Sequence, residues 1–156
     1  MAIGTIEIVH LDAVRVASAY GFGANPEEIA WRKLVAWAKP KGFLDDIALH
    51  PIFGLNNPYP SGPNARYGYE FWIKVGPEVE PEGEIRIGEF LGGNYAVARC
   101  EVKGHPESIA GGWQELAVWC KKNNHALASH HALERFLSIP DDLNALVLEL
   151  CCPIVS

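Results

Sequence analysis

The sequence predicts an α+β fold built from two copies of one β-α-β-β unit. Three observations carry that prediction. The motif W-x-x-L-x-x-W occurs twice, as Trp31-Leu34-Trp37 and Trp113-Leu116-Trp119, and takes four of the five tryptophans in 156 residues. Each copy follows a matching block, Pro26-Glu27-Glu28-Ile29-Ala30 and Pro106-Glu107-Ser108-Ile109-Ala110, at offsets of 82 and 80 that the insertion Gly111-Gly112 reconciles. Upstream, Val16-Ala17 and Gly23 match Val97-Ala98 and Gly104 at an offset of 81. Self-similarity at one period is the signature of a duplicated structural unit.

The elements follow in order. Val- and Ile-rich stretches predict a first strand over Ile6–Ala19 in one half and over Ile85–Val102 in the other, the second interrupted at Gly92-Gly93. Gly21-Phe22-Gly23 is too short for a dinucleotide fingerprint and reads as the end of a strand before a helix. Asn25 is the candidate N-cap of the first helix, Pro26 its first residue, and Glu27 and Glu28 complement the helix dipole in the first turn. That helix stops at Lys39-Pro40-Lys41-Gly42, and its counterpart at Lys121-Lys122-Asn123-Asn124. Two β-rich runs then complete each unit, Ala48–Leu55 and Tyr67–Val75 in the first, Ala128–Ile139 and Leu143–Val155 in the second. The units span about 5–76 and 84–155 of a single domain over 1–156, joined by an acidic linker with Glu78, Glu80, Glu82 and Glu84 that reads as a solvated loop.

One unit of ~75 residues makes too thin a core to stand alone. The expectation is a pseudo-twofold antiparallel sheet with both long helices on one face and a central groove, a natural place for a small molecule.

Composition narrows the function. Thirteen Lys and Arg against nineteen Asp and Glu give a net charge of −6, which disfavours phosphate neutralisation and so direct DNA binding. The first residues lack a basic, apolar leader, and no apolar run reaches the ~18 residues of a spanning helix, so a cytoplasmic protein without membrane contact is expected. Cys100, Cys120, Cys151 and Cys152 contain no C-x-x-C and read as reduced, buried thiols. His125, His130 and His131 lack the spacing of a metal site. No G-x-S-x-G, H-E-x-x-H or Walker motif occurs, so no catalytic residue, metal or cofactor is assigned.

Four segments carry a family resemblance: Phe53-Gly54-Leu55-Asn56-Asn57-Pro58, Tyr67-Gly68-Tyr69-Glu70-Phe71-Trp72, Leu91-Gly92-Gly93-Asn94-Tyr95-Ala96-Val97, and Leu133-Glu134. Together with the tryptophan helices, they resemble the effector-binding domains of AraC-type bacterial transcription activators and the GyrI-like proteins. The resemblance covers nearly the whole chain in order and spacing. It implies the duplicated fold and the binding of bulky, amphipathic, cationic aromatic molecules in the groove, for sensing or sequestration in transcription regulation. It implies Glu134 as a ligand contact. Some relatives hydrolyse cyclopropane-bearing toxins in the same groove, and others act as protein-directed inhibitors of gyrase; both remain alternatives, as does a protein partner or a homodimer. Two departures stand out. His131-Ala132 replaces a frequent aromatic near Leu133, and a domain without a flanking helix-turn-helix is expected.

The candidate ligand-binding residues are Glu134, Glu70, Trp72, Tyr95, Phe53, Trp31, Trp113 and Phe136. Strand alternation sets Ala132, Glu134 and Phe136 on one face and Leu133, Arg135 and Leu137 on the other. A carboxylate on an apolar face is costly to bury unpaired, so Glu134 is a counter-charge for a cationic ligand, half of an ion pair with Arg135 or a lysine, or a structural hydrogen-bond acceptor. Glu70 shares a face with Gly68 and Trp72, opposite Tyr69, Phe71 and Ile73; parity alone leaves open which face meets a ligand. Trp31 and Trp37 flank one apolar arc of the helix, with Leu34 midway. Either all four helix tryptophans are core, or one per helix stacks on a flat ligand, with ~0.5–2 kcal/mol of cation–π attraction. Tyr95 is either a strand aromatic or a hydroxyl donor to a ligand.

Overall fold

The computed structural model describes residues 3–155. Their order is β1 (Ile3–Leu11), β2 (Val14–Gly23), α1 (Pro26–Ala38), β3 (Ile52–Asn56), β4 (Tyr67–Lys74), β5 (Arg86–Phe90), β6 (Gly93–Glu101), α2 (Ser108–Lys122), β7 (Leu133–Phe136) and β8 (Val147–Pro153), with short 3-10 turns at Lys39–Lys41 and Leu143–Ala145. The α+β class matches the sequence reading, and on each side of the linker one helix is followed by two strands as expected.

The strands differ from that reading in one instructive way. The run expected as one strand over Ile6–Ala19 is two, broken at Asp12-Ala13, and the run over Ile85–Val102 is broken at Leu91-Gly92. Gly92 and Gly93 have φ of 76° and 143°, backbone that a side chain would strain. The breaks let the arms separate. β2 pairs antiparallel with β4 and β5, whereas β1 pairs with β6. The chain therefore forms two compact units, one Val14–Phe90 and the other made from the chain on either side of it. Each unit takes its edge strand from beyond the break.

In the Val14–Phe90 unit the strand order is β3-β4-β2-β5. α1 buries Pro26, Ala30, Leu34, Trp37 and Ala38, one stripe of its surface, against β2 and β4. β2 meets it with Ala17 and Ala19, both essentially inaccessible, and with Gly21. A Cβ at Gly21 would lie 2.3 Å from the Pro26 carbonyl oxygen and 2.9 Å from the Ala30 nitrogen, so only glycine admits the helix N-terminus this closely. Asn25 stands at the N-cap, but its side chain makes no capping hydrogen bond; Pro26 and the two first-turn glutamates supply the start signal. Residues 48–50 form a turn, so β3 begins four residues later than expected. In the linker, Glu82 pairs with Lys41 and Glu84 with Lys33.

In the other unit the order is β1-β6-β8-β7. α2 buries Gly112, Leu116 and Cys120 on a stripe facing the sheet. A Cβ at Gly112 would come within 2.9 Å of both Leu150 Cδ1 and Ile3 Cγ2, so the inserted glycine lets this helix settle onto β8 and β1. β7 is only four residues long, and β8 follows the Leu143–Ala145 turn rather than running from Leu143. All four cysteines are free and buried. Burial pushes the thiols of Cys151 and Cys152 up to about 12; the nearby Glu149 carboxylate adds to the first and Cys120 to the second.

Candidate functional site

Glu134 takes its place from β7. Its cross-strand partner on β8 is Leu150, and Phe136 opposes Leu148. Opposed residues share a face, and Leu150 lies under α2 beside Gly112. Glu134 and Phe136 therefore lie on the helix-bearing face, the carboxylate half-buried and the ring 5% exposed, with the inaccessible Leu148 and Leu150 beside them. Arg135 turns to the other face and gives both Nε (2.7 Å) and Nη2 (2.6 Å) to Glu149 Oε1. The intrastrand ion pair considered from sequence is not formed, because adjacent strand residues point to opposite faces.

The tryptophans divide by environment. Trp37 is buried, its ring 5.4 Å from Phe43, with the Lys41 ammonium 5.5 Å from its centroid. Trp31 is half-buried, 5.2 Å from Phe71, which lies 5.1 Å from Tyr69, giving an aromatic wall on the α1 face of its unit. On α2, Trp119 stacks flat on His125 (5.4 Å, 12°), while Trp113 holds the repeat position of Trp31 and is half-buried. Trp31 and Trp113 are thus the members of each pair whose rings are partly accessible and not stacked on a histidine.

Tyr95 lies deep in the sheet on the face away from α2, opposite Val9 and Pro153, and is inaccessible. Its hydroxyl donates to the His131 carbonyl at 2.8 Å, and the His130 ring meets it edge-on at 4.9 Å. Burial, the larger cause, and the Cys151 thiol together push its phenol far above the usual tyrosine range. Tyr95 anchors the 130–131 loop that leads into β7.

Glu70, Trp72 and Phe53 come together on the other face of β4 from Trp31. Phe71 meets α1, so its neighbours Glu70 and Trp72 point away from the helix. Trp72 and Phe53 are cross-strand partners and both pack on Phe90, at 5.8 and 5.6 Å. Glu70 accepts from Trp72 Nε1 at 3.0 Å and from Asn57 Nδ2 at 2.7 Å. The eight candidates are thus distributed over distinct faces rather than one. Sequence reasoning missed Phe90, which closes the aromatic cluster, and Asn57, which fixes Glu70. Asn57 stands in the quoted Asn56-Asn57-Pro58 turn; Phe90 carried no signal, because its packing depends on β5 crossing to β2.

The chain is thus a duplicated antiparallel α+β protein with a half-buried carboxylate beside apolar side chains on the face that carries α2, and its class is that of small-molecule-binding domains. The chain is a member of the GyrI-like small-molecule-binding domain family, whose model matches residues 4–155. The C-terminal domain of EcmrR is similar at TM-score 0.74 and 14% identity, over 100% of this chain and 99% of that one. In EcmrR bound to DNA the corresponding values are 0.69 and 15%, over 96% of this chain but only 57% of that chain. SAV2435, solved bound to tetraphenylphosphonium, matches at 0.55 and 12% identity over 98% and 95% of the two chains. A protein described as a hydrolase from Listeria innocua matches at 0.65 and 10% over 96% and 91%. At these identities the structural likeness shows a shared fold alone. No curated protein is matched by the sequence. Among the described residues no helix is long and apolar enough to cross a membrane.

Proposed function

We propose that this chain binds bulky, amphipathic, cationic aromatic molecules through the sheet face that carries α2, as a cytoplasmic sensor or sequestering domain, with Glu134 as the counter-charge. The observation that carries the proposal is the placement of Glu134 on the α2 face beside Leu148, Leu150 and Phe136, while the adjacent guanidinium of Arg135 is held by Glu149 on the opposite face. A carboxylate in such an apolar setting attracts an organic cation more strongly than in water. Trp113 supplies a partly accessible ring on α2, in the same unit as Glu134. Membership of a small-molecule-binding family supports this reading, as does the tetraphenylphosphonium held by SAV2435. The net charge of −6 favours cations and disfavours DNA.

The test is calorimetry with tetraphenylphosphonium and the neutral, similarly shaped triphenylphosphine oxide, on wild type and Glu134→Gln. Losing a charge-assisted contact costs roughly 1.5–3 kcal/mol, so the cation should bind about ten- to a hundredfold more weakly and the neutral compound nearly as before. Equal losses for both, or none for either, would overturn the assignment. A rival reading makes the same face a hydrolase of cyclopropane-type electrophiles; a protein described as a hydrolase from Listeria innocua shares the fold. It predicts a change of mass in such a compound on incubation, abolished in Glu134→Gln, whereas the binding reading predicts none.

A further inference from the structure

A cavity wholly within the Val14–Phe90 unit is of another character from the α2 face that carries Glu134. It has a volume of about 540 Å³ and is lined by Ser18, Tyr20, Lys33, Asn57, Glu70, Glu84 and Arg86, with Gly83. Its origin is topological. The β2–β5 ladder ends at the pair Ser18–Arg86, so the edge of β2 is open from Ala19 onward. Lys33 reaches this edge from α1 and donates to the Tyr20 carbonyl at 3.0 Å. Tyr20 and Glu70 are cross-strand partners, as are Ser18 and Arg86. All four therefore share the face of the sheet that carries Trp72, away from α1.

The charges in this cavity balance, and two of them are already paired. Lys33 is bound by Glu84 at 3.3 Å. That leaves Glu70 and Arg86. Glu70 is held in place by Asn57 and Trp72, which use two of a carboxylate's roughly four acceptor sites and leave the others to a ligand. Arg86 is exposed and makes no hydrogen bond or ion pair among the described residues. It is a planar, bidentate donor suited to a carboxylate. A monoanion at Arg86 alone would leave Glu70 without a counter-charge, and a monocation at Glu70 would leave Arg86 so. A molecule with both charges satisfies both.

The spacing selects its length. Arg86 and Glu70 stand two strands apart and two residues out of step, so their Cα atoms are separated by about 12 Å, from a strand spacing of ~4.8 Å and a rise of ~3.3 Å. Side chains leaning inward from that separation bracket a ring, not the adjacent charges of an α-amino acid. Tyr20, 42% exposed, lines the cavity with an aromatic surface, and its hydroxyl lies across Gly68, where a Cβ would approach within 2.5 Å of it. We propose that this cavity is a second, separate binding site for aromatic zwitterions, with a carboxylate on Arg86, the ring along Tyr20 and a cationic end on Glu70.

The experiment is calorimetry of the full chain with three probes of one shape: 4-(aminomethyl)benzoate, 4-methylbenzoate and 4-methylbenzylammonium. The zwitterion is expected to bind at least tenfold more tightly than either singly charged analogue. Arg86→Gln should reduce its affinity to that of the cation, Glu70→Gln to that of the anion, and Glu134→Gln should leave it unchanged. Absence of binding by the zwitterion, equal binding of all three probes, or retention of affinity in Arg86→Gln would each overturn the proposal. Because the Arg86 side chain is exposed and makes no hydrogen bond or ion pair among the described residues, its variant should fold as wild type does; the circular-dichroism melt checks this. Loss of zwitterion affinity in Glu134→Gln would instead place these molecules on the helix-bearing face, against the proposal.

Discussion

Replacing Tyr95 with phenylalanine separates a structural hydroxyl from a ligand donor. The residue is inaccessible, and its O–H is held by the His131 carbonyl at 2.8 Å, with the His130 ring packed on its edge. Tyr95→Phe keeps the ring and the packing. It removes one hydrogen bond and leaves a partly desolvated carbonyl with one partner fewer. Losses of this kind cost about 1–2 kcal/mol. For a domain of this size that corresponds to a fall in Tm of roughly 2–8 °C. The loosened segment is the 130–131 loop before β7, so hydrogen exchange should rise there first. Affinity for tetraphenylphosphonium, measured well below the transition, should stay within about twofold of wild type, since a 0.4 kcal/mol change is all that such a factor represents. A spectroscopic check is independent of stability. The buried phenol should remain protonated at alkaline pH where other tyrosines ionise, and titrate only on unfolding. An unchanged Tm with a tenfold loss of tetraphenylphosphonium affinity would refute the reasoning and return Tyr95 to the ligand.

Three further outcomes follow from the packing. Gly21→Ala should destabilise by about 1–3 kcal/mol, because its new Cβ meets fixed backbone of α1 at 2.3 Å; Gly62→Ala, with nothing within 4 Å, is the control in the same denaturant titration. Glu149→Gln should cost roughly 1–3 kcal/mol by stranding the partly buried Arg135, and Arg135→Met combined with Glu149→Leu should recover most of it in a double-mutant cycle. The thiols of Cys151 and Cys152 have folded pKa values raised to about 12, above those of the unfolded chain. Their contribution to stability is therefore complete below pH ~8.5 and is lost as pH rises toward 12. Melts at increasing pH should show that decline, and iodoacetamide at pH 8 should label neither thiol until the chain unfolds.

Much of the architecture was legible in one dimension. The tryptophan repeat placed both helices, and α1 runs Pro26–Ala38 as Pro26, Glu27 and the Lys39-Pro40 stop signal require. Gly92-Gly93 marked a break because positive φ is a local property that glycine announces. The break at Asp12-Ala13 carries no glycine and was not legible. Nor were the short β7 and the late start of β3, where β-rich sequence continues beyond the ladder in turns that leave residues such as Leu49 and Leu127 exposed. Among candidate residues, alternation correctly grouped Glu134 with Phe136 and Glu70 with Trp72.

By itself the sequence determined the duplication, the α+β class, the family, and which side chains share a strand face, since each follows from local periodicity or from spacing along the chain. The tertiary structure decided the rest. It chose β6 rather than β2 as the partner of β1, turned Glu134 toward α2 and Glu70 away from α1, and gave Arg135 to Glu149. Period-two alternation says which residues face together but not what they face. That is set by the helix that covers one side of a sheet and by the strand that arrives at its edge, and both come from contacts tens of residues distant in sequence.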